Sequence, residues 1–130
     1  SASKLNIPNS LNNTSKLLHM FSSNFRDMTE AQIEKMVVEA LSREGFLVIK
    51  IPNDALWRQR VVGTAKGAPD LVVVLPRGRV VWLEVKAPRR YPSPDQRLLH
   101  ARLGGLGHAV AVVRSVDEAL AFIRKVVTSQ

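Results

Sequence analysis

Asp70, Glu84 and Lys86 stand inside or against runs of apolar residues, in a stretch from Gly67 to Pro88 that reads GAPDLVVVLPRGRVVWLEVKAP. Burying an unpaired charge costs on the order of several kcal/mol or shifts its pKa. Two carboxylates and an ammonium among strand residues therefore need a partner. Alternate residues of a strand share a face, so Glu84 and Lys86 project together, with Val80 and Trp82 behind them. Val81, Leu83 and Val85 line the other side, and both faces are apolar enough to be covered. A four-residue turn at 76–79 would set Leu75 opposite Val80 and bring Asp70 near Val85, within reach of Glu84. Two carboxylates that close repel, and one takes up a proton unless a cation lies between them. Magnesium or manganese is the natural occupant, a hard cation that takes oxygen ligands, keeps several waters and accepts substrate phosphate. Lys86 is placed to orient or help deprotonate the attacking water and to balance charge on the phosphorane. The ion lowers the pKa of water and stabilises the attacked phosphate. That combination suits metal-assisted hydrolysis of a phosphodiester.

The elements that must position these groups follow from the hydrophobic periods. Residues 1–28 are rich in Ser and Asn and have no sustained period; they read as a flexible or non-native leader. Thr29-Glu30-Ala31-Gln32 has the spacing of a capping box. Ile33, Met36, Val37, Ala40 and Leu41 then give the single stripe of an amphipathic helix, which Gly45 ends. Glu30 and Glu34 both fall within the arc of that stripe, and a carboxylate there calls for a metal site or a helix-end hydrogen bond. Strands are expected over Phe46–Ile51, Asp70–Leu75 and Val80–Lys86, the last two forming an antiparallel hairpin. Val61-Val62 would add a short strand within the polar segment 53–67. Ser93-Pro94-Asp95-Gln96 starts a second helix, expected to run to about Leu103 before Gly104, Gly105 and Gly107 break it. A strand over Ala109–Val113 and a final helix capped at Ser115, with Ala119, Leu120, Ile123 and Val127 on its apolar face, complete the order α-β-β-β-α-β-α. One α/β domain with a mixed sheet flanked by helices is expected over residues 29–130.

Here a resemblance enters. Pro69-Asp70, followed fourteen residues on by Glu84-Val85-Lys86, resembles the PD-(D/E)XK nuclease core, and within that superfamily the VRR-NUC domain. There is a secondary similarity to archaeal-type Holliday-junction resolvases. The supporting stretches are IEKMVVEALSREGF, GAPDLVVVLP, VVWLEVKAP, PSPDQ and the final GHAVAVVRSVDEALAFI, together spanning most of residues 29–124. The resemblance implies that Asp70 and Glu84 are metal ligands, joined by the Val85 carbonyl, with Mg2+ or Mn2+ as the ion. It makes Lys86 the catalytic lysine and Glu34 the first-helix acid, reaching the metal directly or through water and so converging with Asp70 and Glu84, with Glu30 the competing choice. Gln96 matches a second-helix glutamine expected to orient the lysine or the site.

Simpler readings compete. Glu84 and Lys86 alone would pass for an edge-strand ion pair worth ~0–1 kcal/mol, and Gln96 for the capping partner of Ser93. His19, His100 and His108 have no metal-ligand or nucleophile–base spacing and are assigned no chemistry.

Composition narrows the partners. The 130 residues carry a net charge of +8 and no cysteine, so disulfides and thiolate metal sites are excluded. No apolar run is long enough to span a bilayer. Beyond residue 28 there are still 16 basic and 10 acidic residues, an excess that favours a polyanion. Arg58, Arg60, Lys66, Arg89, Arg90 and Arg97 come from segments beside the expected site and would contact DNA phosphates; Arg102 belongs to the same group. Trp57 would stack on a splayed base or pack in the core. The expectation is a cytoplasmic, metal-dependent endonuclease selecting DNA by structure, four-way or otherwise branched. Paired cuts would require a homodimer. The alternatives are a catalytically silent DNA-binding module on this scaffold, or a nuclease for flap or duplex DNA or for RNA.

Overall fold

The computed structural model describes residues 28–52 and 66–129. Helix α1 (Glu30–Arg43) leads into strand β1 (Leu47–Lys50), followed by β2 (Leu71–Val74), β3 (Val80–Val85), helix α2 (Pro94–Gly105), β4 (Ala109–Val113) and helix α3 (Val116–Thr128). The four strands form one sheet in chain order. β1, β2 and β3 are antiparallel neighbours, while β4 runs parallel to β3. A parallel pair cannot be joined by a tight turn, and α2 makes the crossover. The order α-β-β-β-α-β-α and the mixed sheet are as the periodicity indicated.

One face of the sheet is dry. Leu71, Val73, Val81, Leu83, Val85 and Val113 are buried there against Ile33, Val37 and Leu41 of α1 and Ala119 and Ile123 of α3. Met36 and Val127, expected on the buried stripes, are instead substantially exposed. Each stripe is narrower than the run of apolar residues suggests, because the two helices also share the sheet face with each other. The opposite face carries Val72, Val74, Val80 and Trp82, none fully buried, and Trp82 Nε1 donates to His108 Nδ1 at 3.1 Å. α2 lies on that side without burying a residue of its own completely.

All three helices among the described residues begin on sequence-encoded caps. Thr29 Oγ1 accepts from Gln32 N–H and Gln32 Oε1 accepts from Thr29 N–H, a closed capping box. Ser93 and Gln96 repeat the arrangement at α2. At α3, Ser115 Oγ accepts from Glu118 N–H, while Glu118 reaches back one residue further, to Arg114 N–H. The last turn of α3 is tied to the β2–β3 hairpin, because Arg79 Nη1 donates to the carbonyls of Val126 and Ser129.

Two expectations change. The hairpin connection is three residues, Pro76 to Gly78: Leu75 N–H donates to Arg79 O and the paired residues are Val74–Val80 and Leu71–Leu83. Arg77 at φ 65° and Gly78 at φ 71° make the shorter turn. Continuing that register sets Asp70 opposite Glu84 rather than Val85, and a one-residue shift in a strand pair exchanges faces. The second helix also runs through Gly104 and Gly105, ending only at Leu106, where Gly107 at φ 89° turns the chain out. An exposed glycine weakens a helix by roughly 1 kcal/mol, which the capped start and tertiary contacts of α2 offset. The proposed Val61-Val62 strand lies outside the described residues.

Gly67 fixes the distance between the hairpin and α2. It has φ 85°, and a Cβ built on it would lie 2.6 Å from Asp95 O and 2.8 Å from Gln96 N. No side chain fits that approach, and the left-handed backbone alone costs a non-glycine residue roughly 1–2 kcal/mol. Lys66 Nζ closes the same junction on Asp95 at 3.2 Å. Gly67→Ala is therefore expected to lower stability by at least ~1–2 kcal/mol in a urea titration. It should also lower activity through displacement of the start of α2; a variant as stable and active as the wild type would show that the close approach is dispensable.

Candidate active site

The site forms where β2 begins and β3 ends, on the face opposite the dry core. Asp70 immediately precedes β2, and its main-chain O accepts from Ile51 N–H, extending the β1–β2 ladder by one bond. Its Oδ2 accepts from Val85 N–H at 2.7 Å, so the backbone of β3 holds the carboxyl in place. Glu84, from the middle of the sheet, is 1% exposed. Gln96 Nε2 donates to Glu84 Oε2 at 3.2 Å, and His100 Nε2 lies 3.3 Å from Glu84 Oε1. The two carboxyl groups are themselves in hydrogen-bonding contact.

Gln96 serves both readings weighed from the sequence. Its Oε1 caps α2 through Ser93 N–H, and its Nε2 holds Glu84. The cap settles which end of the amide is which, because a flipped group would present two donors to Ser93 N–H. His100, which the sequence left without a role, sits one helical turn beyond Gln96, and both reach the same carboxyl. The i, i+4 spacing on a helix that follows the Glu-x-Lys strand is the signal that would have found it.

The lysines are paired with the acids of α1. Lys86 shares a face with Glu84, is 12% exposed at its side chain, and has Nζ 3.7 Å from Glu30 Oε1. Lys50 Nζ lies 2.8 Å from Glu34 Oε2. The negative charge of Glu30 bears on both Asp70 and Glu84, whereas that of Glu34 bears on Asp70. Of the three carboxylates expected to converge, positions 70 and 84 meet, and position 34 stands aside with Lys50. Among the described residues, no group of three or more His, Asp or Glu side chains is arranged to hold a metal ion. Val85, expected to offer its carbonyl, contributes its N–H to Asp70.

Burial, then the neighbouring Asp70, pushes the Glu84 carboxyl up to about 9, against a weaker opposite pull from Lys86. Burial likewise raises Asp70, while its hydrogen bonds from Glu84 and Val85 pull it down. Burial lowers His100, and Lys86 lowers it further. At neutral pH the carboxyl pair thus holds a proton and the imidazole is neutral, so His100 and Glu84 form a hydrogen bond rather than an ion pair. Two oxygen-rich groups that cannot both ionise have the donor chemistry of a hard divalent cation, which would supply the missing positive charge.

The basic residues divide by location. Arg89 and Arg90 follow β3 on an exposed turn, Arg97 Nη1 donates to Pro92 O at 2.8 Å, and Lys66 stands at the junction with α2. Arg102 is exposed on α2. Arg58, Arg60 and Trp57 lie outside the described residues, as does His19.

The VRR-NUC domain family matches residues 23–117, a span that contains Asp70, Glu84, Lys86, Gln96 and His100. The chain belongs to the VRR-NUC domain family. It is 36% identical over 92 residues to "Putative nuclease p44" of Acyrthosiphon pisum secondary endosymbiont phage 1, covering 71% of this chain and 89% of that one. A solved VRR-NUC domain aligns at 32% identity with a TM-score of 0.57, covering 73% of this chain and 94% of the other. A second solved VRR-NUC domain protein, 21% identical with a TM-score of 0.61, covers 75% and 87% and shares the fold. In this VRR-NUC chain α3 extends past the matched span and supplies Ala119 and Ile123 to the core.

The raised Glu84 carboxyl sets a direction for stability against pH. Without metal, the folded state binds more protons at this group than the unfolded chain does between pH 4.5 and about 9, so stability is highest at the acid end and falls as pH rises. His100, lowered by folding, acts the other way, and its contribution is lost as pH falls through its depressed range. Glu84→Gln removes the proton uptake. Thermal melts of metal-free protein from pH 6.5, above which His100 no longer opposes the trend, to about 9 should show a falling Tm for the wild type and a flatter profile for Glu84→Gln; parallel profiles would contradict the assignment.

Proposed function

We propose that this VRR-NUC domain is a metal-dependent endonuclease that hydrolyses DNA phosphodiesters, preferring branched substrates. The observation that carries the reading is the contact between the Asp70 and Glu84 carboxyls, with Lys86 on the same face. Asp70 and Glu84 would hold Mg2+ or Mn2+, with the Val85 carbonyl as the further ligand that the family resemblance implies. When bound, such an ion would lower the pKa of water and offset the charge gathering on the attacked phosphate. Asp70 is oriented by the Val85 amide, and Glu84 is fixed at both oxygens by Gln96 and His100. Lys86 supplies a cation beside the scissile group, and Glu30 limits where its amine can swing.

The substrate class rests on charge and on what is missing. A basic chain of net charge +8 suits a polyanion, and the described residues present arginines beside the site. None of the described helices is set out as a base-reading element, which favours recognition of shape over sequence. A branched substrate asks for paired cuts and the described residues of each chain form one such site, so a twofold dimer is the natural working unit. No helix among the described residues is long and apolar enough to cross a membrane.

Labelled duplex, flap, splayed and four-way DNA, together with RNA counterparts, should be incubated with Mg2+, Mn2+ or EDTA. Cleavage of branched DNA is expected with either metal and none with EDTA. Asp70→Ala and Lys86→Ala should each lower the single-turnover rate by at least about a hundredfold, the scale on which general-base or electrostatic groups act. Binding without cleavage of any substrate would favour a silent DNA-binding module, and full activity in either variant would remove the site assignment. Sedimentation with and without DNA tests the dimer, and a monomer under both conditions would exclude it.

His100→Ala leaves one oxygen of Glu84 without its partner while the cap of α2 remains. Activity should fall by roughly ten- to a hundredfold, as when a group supporting a metal ligand is removed. His100→Gln should recover part of it. Steady-state rates titrated against Mn2+ measure this, with the loss appearing mainly as weaker metal dependence; an unchanged Mn2+ titration would mean that His100 is not needed to orient Glu84.

A further inference from the structure

The loop that leaves β3 carries an aromatic residue that no part of the hydrolytic arrangement uses. Tyr91 is 75% exposed, and the guanidinium carbon of Arg114 lies 5.2 Å from its ring centroid. Arg114 directly follows β4. Because β4 is parallel to β3 and Val113 O accepts from Lys86 N–H, Arg114 emerges beside the strand end that bears Lys86. The tyrosine is thus held at the rim of the site.

The loop itself is braced. Arg114 Nη2 donates to Arg90 O at 2.7 Å, and Arg97 Nη1 donates to Pro92 O at 2.8 Å. These contacts reach the residues on either side of Tyr91. The turn before it is closed by Arg90 N–H donating to Ala87 O at 3.1 Å, with Pro88 and Arg89 at its centre. Proline restricts its own φ to about −65°, and Arg89 has φ 67°, which together make a type II turn whose third position normally falls to glycine or asparagine. A strained arginine at that position sends a cation outward next to Arg90. The result is an exposed, pre-positioned ring, a guanidinium at its face, and two further arginines on the adjoining turn.

We propose that Tyr91, supported by Arg114, is a stacking platform for an unpaired nucleobase of the substrate, with Arg89 and Arg90 on the flanking phosphates. Aromatic side chains stack on any base, and neighbouring cations track the backbone, so single strands are held without sequence preference. This rests on the nuclease reading and adds the part of a branched substrate that the site senses: a base freed from pairing next to the cut. Fully paired DNA offers no such base. The platform therefore separates branched from continuous DNA without any residue that reads sequence.

Fluorescence anisotropy in EDTA, where binding is read without cleavage, tests it on the full chain. The probes are a splayed-arm DNA, the same DNA fully paired, a splayed arm with abasic residues next to the fork, and the splayed arm in RNA. Tyr91→Ala is expected to weaken splayed-arm binding about tenfold, the loss of one base–aromatic stack, and paired-duplex binding by less than about twofold on the same basis. Tyr91→Phe should match the wild type, and abasic residues should erase the difference between wild type and Tyr91→Ala. Equal losses on splayed and paired DNA, or a Tyr91→Phe variant as weak as Tyr91→Ala, would overturn the platform. Dependence on Tyr91 with the RNA arm as well supports a platform indifferent to the sugar, whereas dependence with RNA alone overturns the DNA assignment. Wild-type binding that ignores Tyr91 removes the platform and leaves the nuclease reading standing. Failure of the wild type to bind any probe removes both.

Discussion

Two carboxyl groups placed in contact at a buried position cannot both ionise without a cation beside them, and much of this fold is arranged to keep Asp70 and Glu84 in that relation. The sheet supplies the spacing, because the β2–β3 register sets position 70 against position 84. The Val85 amide fixes one carboxyl, and Gln96 and His100 fix the other. Gly67 lets the start of α2 come close enough for those side chains to reach. The apolar face of the same strand, with Val81, Leu83 and Val85 fully buried, anchors the arrangement against the helices behind. A core built on one face and a charged site on the other is the direct outcome of two-residue periodicity in β3.

The charges around the pair are balanced in layers. The Lys86 amine acts on Glu84 and is itself 3.7 Å from Glu30. One turn along α1, Glu34 holds Lys50, so the helix presents two acids to two lysines, one at the end of β1 and one just past β3. Neither acid is buried as Glu84 is. Their ion pairs, with exposed members, are worth little for stability, and their effect on the site is through field and position. The basic turn beyond β3 then extends positive charge outward from the carboxyl pair, where a phosphate backbone would approach.

Much of this was legible in the sequence, and the misses have physical causes. The capping residues Thr29, Ser93 and Ser115 announced three helix starts because the side chain alone satisfies the orphan amides. Alternation in Val80–Lys86 assigned Glu84 and Lys86 to one face. The hairpin pairs one residue off the register a four-residue turn would give, because an arginine at positive φ in the turn leaves no compositional mark. Gly104 and Gly105 look like a helix stop and are not: both lie in open space in the last turn of α2, and a glycine there weakens a helix without forbidding it. The role of His100 is not legible in the sequence, because its partner lies sixteen positions away on another element and only the packing of α2 on the sheet brings them together. Gly67, by contrast, stood in a recognisable motif, yet its reason became plain only from the 2.6 Å approach of Asp95 O.

The most direct test is a proton count on metal binding. Mn2+ is titrated into metal-free protein near neutral pH by isothermal calorimetry, in buffers of different ionisation enthalpy. Release of about one proton per bound ion is the expected result, since ligand carboxyls must deprotonate to bind, with the release abolished in Glu84→Gln. Binding that releases no proton, or the same release from Glu84→Gln, would show that the ion does not replace a proton shared by Asp70 and Glu84.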